Sequence, residues 1–219
     1  METTPNASGR AVPQSLFVYS LFYGGMVCIA GVLGVKQVAL GPLAVEAGIF
    51  GFLLLVALSS SIAELHGRRT ADALVLYGFL PLLVSMALIQ IVLALPHDPG
   101  MYPPAIDAFP VVVGQSGRMM LAGLISYGIS QFLNVTIFSA LRGKGGEGRV
   151  LWVRAAIASV LSQVVDTLLF ITISFYGERP IADLMLGQML AKVVLSIVLV
   201  PALIYLFVAI GRRIDSRGV

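Results

Sequence analysis

The sequence predicts an all-α integral membrane protein, a bundle of six transmembrane helices with N and C termini cytoplasmic. Three observations predict it. Of 219 residues, 58% are hydrophobic and only 11% charged, with mean hydropathy +0.96. A soluble domain is about 25% charged, so this is not one, and a disordered chain needs the opposite balance. Six stretches are long and apolar enough to cross about 30 Å of hydrocarbon, which takes about 20 residues. Finally, Lys and Arg gather in alternate connections, the bias that sets orientation in membrane proteins.

Residues 1–14 are polar, carry Arg10 and read as a disordered cytoplasmic tail. They are no signal peptide: the apolar run behind them is too long and lacks a small-residue cleavage site. A single six-helix transmembrane domain is expected over 15–211, and a basic cytoplasmic tail over 212–219. The first span runs from Leu16 to Val35. Gly41-Pro42-Leu43 punctuates it from the second, Leu43 to Glu64, and Arg68 and Arg69 follow. The third is Ala73 to Leu95. The connection from Pro96 to Pro110 carries Asp98 and Asp107 and no basic residue, and its prolines suit a plain connector or a cap over an outward opening. The fourth span, Val111 to Leu141, is long. A flexible linker with Arg142, Lys144 and Arg149 leads to the fifth, Leu151 to Tyr176. A short connection holding Arg179 leads to the sixth, Ile181 to Ile210, and Arg212, Arg213 and Arg217 close the chain.

A charge inside a bilayer costs about 2.5–3.5 kcal/mol on insertion scales, so each one asks for a reason. Lys36, Glu64 and Arg118 sit near span ends, where snorkelling to the interface competes with a functional role. Asp166 and Lys192 lie mid-span. Asp166 is about 22 Å from the start of span five, and Lys192 about 28 Å from the cytoplasmic end of span six, at about 1.5 Å per residue. The two groups can meet at one depth, either as a structural ion pair that fixes register or as a pair at a polar cavity. Gln131 and Asn134 share one face of span four, and Ser162, Gln163 and Asp166 one face of span five. Interhelical glue is one reading of these residues. A site for a planar solute ringed by donors and acceptors is the other, with Tyr127, Phe132, Phe138, Trp152 and Phe170 as stacking or packing surfaces.

Several classes are excluded. One cysteine, Cys28, allows no intramolecular disulfide and no cysteine zinc site. His66 and His97 fall on opposite sides of the membrane. No Ser or Thr follows Lys144, so the glycine-rich linker is not a phosphate loop. The sequon Asn134-Val-Thr136 lies within a span. No cofactor and no nucleic-acid partner are expected; the partners are a small-molecule substrate and the lipid bilayer. Gly24-Gly25 and Gly31-x-x-Gly34 allow close helix packing and a homodimer.

The run Ser130-Gln-Phe-Leu-Asn-Val-Thr-Ile-Phe-Ser-Ala-Leu-Arg142, then Leu151-Trp-Val-Arg154, then Ser162-Gln-Val-Val-Asp-Thr167, resembles the queuosine precursor transporter family, also called the vitamin uptake transporter family. Ala63-Glu-Leu-His-Gly-Arg-Arg69 is similar to that family's segment after the second span. Lys36, Arg118 and Lys192 match its basic positions. The resemblance runs from Val35 to Pro201. It implies a multi-pass carrier of the bacterial inner membrane, similar in fold to the substrate-binding component of energy-coupling-factor transporters, and not an enzyme. It implies import of a 7-deazaguanine queuosine precursor, with a cyano or aminomethyl group, by a secondary or facilitated mechanism; another vitamin or purine-like compound is the alternative. Gln131, Asn134, Gln163, Asp166 and Lys192 are then the substrate-binding set, with Lys36, Glu64, Arg118 and Arg154 supporting or gating. The chain departs from the family pattern at Ser60 and Asn134, where the family has Asp, and at Ala155 or Ala156, where it has Asn. Asp166 remains the carboxylate suited to a guanine-like N–H edge. Two other classes compete. An intramembrane enzyme would need a dyad such as Lys192 with Ser162 or Ser174, and an assembly subunit would use its polar groups only to hold helices.

Overall fold

The computed structural model describes residues 12–41, 43–115, 117–142, 151–178 and 180–217. Seven helices and one hairpin follow in order: α1 (Gln14–Leu33), β1 (Gln37–Leu40), β2 (Leu43–Glu46), α2 (Gly48–His66), α3 (Arg68–Ala94), α4 (Pro103–Val113), α5 (Gly117–Ala140), α6 (Leu151–Phe175) and α7 (Ala182–Arg217). All but α4 are long and apolar enough to span a membrane, which makes six candidate spans. Residues 1–11 of the expected tail, 143–150 of the expected linker, Arg179 and 218–219 lie outside the described residues.

The outside of the bundle is apolar, and its inside combines an apolar core with an unusual number of buried polar groups. Leu21, Leu76, Leu80 and Val198 are each more than half exposed, while Ser59, Ser60, Ser61, Gln131, Asn134, Gln163 and Thr167 are buried. Lipid accounts for the first group; the second needs partners inside the bundle. Helix α2 stands in the middle. Its apolar window is 72% buried, against 11% for α3, and it packs on α1, α3, α5 and α7. Helices α5, α6 and α7 form the other large antiparallel contacts.

Three boundaries differ from the sequence expectation. The second span starts at Gly48, not Leu43, because 37–46 pairs as an antiparallel hairpin with Val38 opposite Val45 and Leu40 opposite Leu43. The facing β-branched residues Val38 and Val45 favour that pairing, which satisfies backbone groups a helix start would leave bare. The fourth stretch is two helices. Gly114 ends α4: its N–H bonds to the Pro110 carbonyl at 2.8 Å, and a side chain on Gly114 would strike that same carbonyl oxygen. The connection expected over Pro96–Pro110 is therefore helical from Pro103, where proline suits the first helical turn. The last helix also runs past Ile210 to Arg217, so Arg212 and Arg213 project from its final turns.

Two devices fix one end of the bundle. Gly67 turns the chain from α2 into α3 at φ +86°, a conformation glycine adopts freely. Beside it, Ser15 Oγ donates to Asp215 Oδ2 at 2.7 Å and lies 2.8 Å from His66 Nε2. This ties the start of α1 to the ends of α2 and α7. Arg68, Arg69, Arg142, Arg154, Arg212 and Arg213 all belong to this basic end, while the hairpin and α4 belong to the other.

Candidate functional site

A cavity of about 190 Å³ opens at the end remote from the basic residues. Its wall takes the second half of α1, the first half of α2, the second half of α3, the first half of α5, Asp166 and Phe170 of α6, and Lys192 of α7. Gly31, Gly34 and Gly48 keep the α1–α2 side open and close-packed; a Cβ on Gly48 would sit 2.6 Å from the Ala30 carbonyl oxygen. Most of the wall is apolar, from Val27, Ile49, Phe52, Leu82, Met86, Met119 and Phe170. Its polar groups are few: Glu46, Ser85, Gln115, Ser126, Tyr127, Asp166 and Lys192. An apolar pocket with a few convergent polar groups is the usual form of a small-molecule site.

Asp166 and Lys192 meet as their depths predict. Nζ lies 3.0 Å from Oδ2, and Ser130 Oγ donates to Oδ1 at 3.4 Å. Both residues are buried, at 4% and 8% exposure, yet reach the cavity wall. The pair therefore presents an ammonium donor beside a carboxylate acceptor in a largely buried setting, where such groups act more strongly than at a surface.

Gln131 and Asn134 are brought together away from the cavity, and Gln163 lies off its wall as well. All three are fully buried. Ser59 bridges the first two: its Oγ donates to Gln131 Oε1 at 3.2 Å and accepts from Asn134 Nδ2 at 3.3 Å. Asn134 Nδ2 also reaches Ser60 Oγ at 3.0 Å. Among the described residues, Gln131 Nε2, Asn134 Oδ1, both amide atoms of Gln163, Ser174 Oγ, Gln188 Oε1 and Ser196 Oγ are buried without a hydrogen-bond partner. Each such group costs about 1–3 kcal/mol, so this polar interior is costly as helix glue alone.

The supporting set divides three ways. Glu64 and Arg154 form a second buried pair, Oε2 to Nη2 at 2.9 Å, and Arg142 stands 3.9 Å from the other Glu64 oxygen. The Arg154 guanidinium lies 4.3 Å from the Phe138 ring centroid and its Nε donates to the Phe138 carbonyl. Arg118 is a clamp, not a cavity residue. Its guanidinium donates to the Ile173 and Tyr176 carbonyls, and pairs with Glu178 at 3.0 Å; these are carbonyls that a helix end leaves unmet. Lys36 is exposed beside the hairpin and off the cavity wall.

Sequence reasoning missed Glu46, Gln115, Ser126, Gln188 and Ser196. Glu46 was hidden by reading 43–46 as part of a helix. Gln188, Lys192 and Ser196 recur every fourth residue inside an apolar span, a signal that was available. Tyr127 proves structural as well as cavity-lining: its hydroxyl lies 3.0 Å from that of Tyr23 and donates to the Val75 carbonyl. As for an enzyme dyad, the Lys192 ammonium is held by Asp166, and Ser162 Oγ donates to the Ser159 carbonyl.

A family model described as "Putative vitamin uptake transporter" matches residues 46–206. A "Probable queuosine precursor transporter" of Bacillus subtilis (strain 168) is 30% identical over 192 residues, covering 86% of this chain and 81% of that protein. No solved structure matches.

Proposed function

The chain belongs to the vitamin uptake transporter family, a multi-pass membrane transporter and not an enzyme, and from that premise we propose that it imports a 7-deazaguanine queuosine precursor across the bacterial inner membrane. The observation that carries this reading is the Asp166–Lys192 pair on the wall of an apolar cavity. A guanine-like ring carries a carbonyl beside an N–H on one edge. An ammonium beside a carboxylate is its complement: Lys192 donates to the carbonyl and Asp166 accepts the N–H, each as a charge-assisted bond. Tyr127 and Phe170 offer aromatic surface on the same wall. The excess of Lys and Arg at the opposite end supports both termini cytoplasmic and a cavity facing outward. Six spans with a one-sided cavity suit the fold of the substrate-binding component of energy-coupling-factor transporters, and movement is secondary or facilitated. Of the glycines expected to allow pairing of two copies, Gly25 has open space around it, whereas Gly24 and Gly31 face Pro81 and Gln115 within the chain.

The test is a thermal-shift screen of purified protein against 7-deazaguanines, purines and vitamins. A ligand that binds only the folded state raises its melting temperature by mass action. Cyano- or aminomethyl-7-deazaguanine should stabilise the wild type, and Asp166→Asn should lose that shift. Stabilisation by another vitamin alone, or a shift that survives in Asp166→Asn, would overturn the assignment.

A further inference from the structure

The unmet polar atoms are not scattered. Ser130 marks the level of Asp166, because its hydroxyl reaches that carboxylate. From this level α5 descends toward the basic end through Gln131 and Asn134, α6 through Gln163, and α7 through Ser196. At about 1.5 Å per residue, all four lie within about 6 Å beneath the ion pair. All four are fully buried, at 0% exposure. Together they hold five of the unpartnered atoms: Gln131 Nε2, Asn134 Oδ1, Gln163 Nε2, Gln163 Oε1 and Ser196 Oγ. Buried polar groups in folded proteins are bonded with few exceptions. Five exceptions in one slab, between two ion pairs, mark a place where a ligand completes the bonding.

We propose that this slab is a second, occluded station for the transported solute, one helical turn below the Asp166–Lys192 pair, and that Ser196 is one of its binding residues. The proposal rests on the transport reading above and divides its path in two. The amide groups of Gln131 and Gln163 donate; Asn134 and Gln163 oxygens accept; Ser196 does either. That alternation suits a neutral planar heterocycle with a carbonyl next to an N–H. The two stations differ in charge. The outer one holds a carboxylate and an ammonium and captures solute from water. The inner one holds only neutral groups, binds less tightly, and so releases solute onward. The cavity wall stops at Asp166 and Lys192, so solute reaches the slab only when that ion pair parts.

The experiment measures initial uptake rates of labelled cyano-7-deazaguanine, a neutral compound, into proteoliposomes over a range of concentrations. Ser196→Val and Gln163→Leu should each lower the maximal rate at least tenfold, with less than a threefold change in half-saturating concentration. Asp166→Asn should instead raise that concentration at least tenfold. Ser196→Thr, which restores the hydroxyl, should recover the rate; a purely packing role would not follow the hydroxyl. Ser196→Ala repeats the test with a smaller side chain if Val disturbs folding. Unchanged kinetics in both slab variants overturn the proposal and leave the amides as helix contacts or water ligands. Half-saturation rising as in Asp166→Asn also overturns it, in favour of one merged site. A wild type that neither takes up nor binds the compound overturns the transport reading itself, which is a different result.

Discussion

The two buried ion pairs are alike in chemistry and opposite in setting. Asp166–Lys192 and Glu64–Arg154 are each a carboxylate and a cation about 3 Å apart, and their α6 members stand twelve residues apart, about 18 Å along the helix. Asp166 and Lys192 reach the cavity wall. Glu64 and Arg154 do not; they are covered by Phe138 and closed by Arg142 at the basic end. One pair therefore has a side left for a solute, whereas the other is fully engaged by protein. A buried ion pair by itself is weak evidence for a binding role; here the difference in access separates recognition from structure.

The largest effect expected is on the sealed pair. Glu64→Ala leaves the Arg154 guanidinium buried without its carboxylate and removes the partner of Arg142. Breaking a buried pair from one side costs about 3–5 kcal/mol, enough to bring a marginally stable protein near unfolding. Unfolding of the purified variant in detergent should show the loss, with Asp166→Ala losing less because the cavity admits water to Lys192. Equal losses in the two would erase the distinction between the pairs.

The next effect sharpens the comparison from the cavity side. Exchanging the charges, Asp166→Lys with Lys192→Asp, restores an ion pair but reverses its polarity toward the solute. Stability should return most of the way relative to either single variant, while uptake stays reduced about 10–100-fold, about 1.4–2.8 kcal/mol. Melting temperature and uptake measured on the same three variants read the two roles separately. Recovery of uptake with stability would make this pair as structural as the other.

Much of this arrangement was legible from the chain. Span number, the basic end and the meeting of Asp166 with Lys192 follow from apolar length, charge placement and helical rise, which are local or one-dimensional quantities. The hairpin at 37–46 was not legible, since Leu43–Glu46 is apolar enough to extend a helix and only pairing with Gln37–Leu40 makes it a strand. The separation of the amides from the cavity was not legible either. Gln131, Asn134 and Gln163 lie within about one helical turn of the level of Asp166, and the bonds of Gln131 and Asn134 to Ser59 and Ser60 of α2 hold those two off the wall. Lys36 and Arg118, basic positions that the resemblance pointed to, lie off the cavity, because the hairpin and the end of α6 decide where they sit.

The smallest effect concerns that Arg118. Position near a span end suggested snorkelling or gating, and the structure shows a guanidinium donating to the Ile173 and Tyr176 carbonyls at the C-terminus of α6. Its pair with Glu178 is exposed on both sides, at 39% and 61% of the side-chain surface. Such pairs contribute about 0–1 kcal/mol, and the carbonyl bonds face water when broken, so their loss is partly made good. Arg118→Gln, which keeps a donor and drops the charge, should therefore shift the melting temperature little and leave the half-saturating concentration unchanged. Glu178→Gln should do less still, because it spares the carbonyl bonds. A loss of uptake in Arg118→Gln with stability intact would place Arg118 in the gate after all, and would mean that the end of α6 moves during transport.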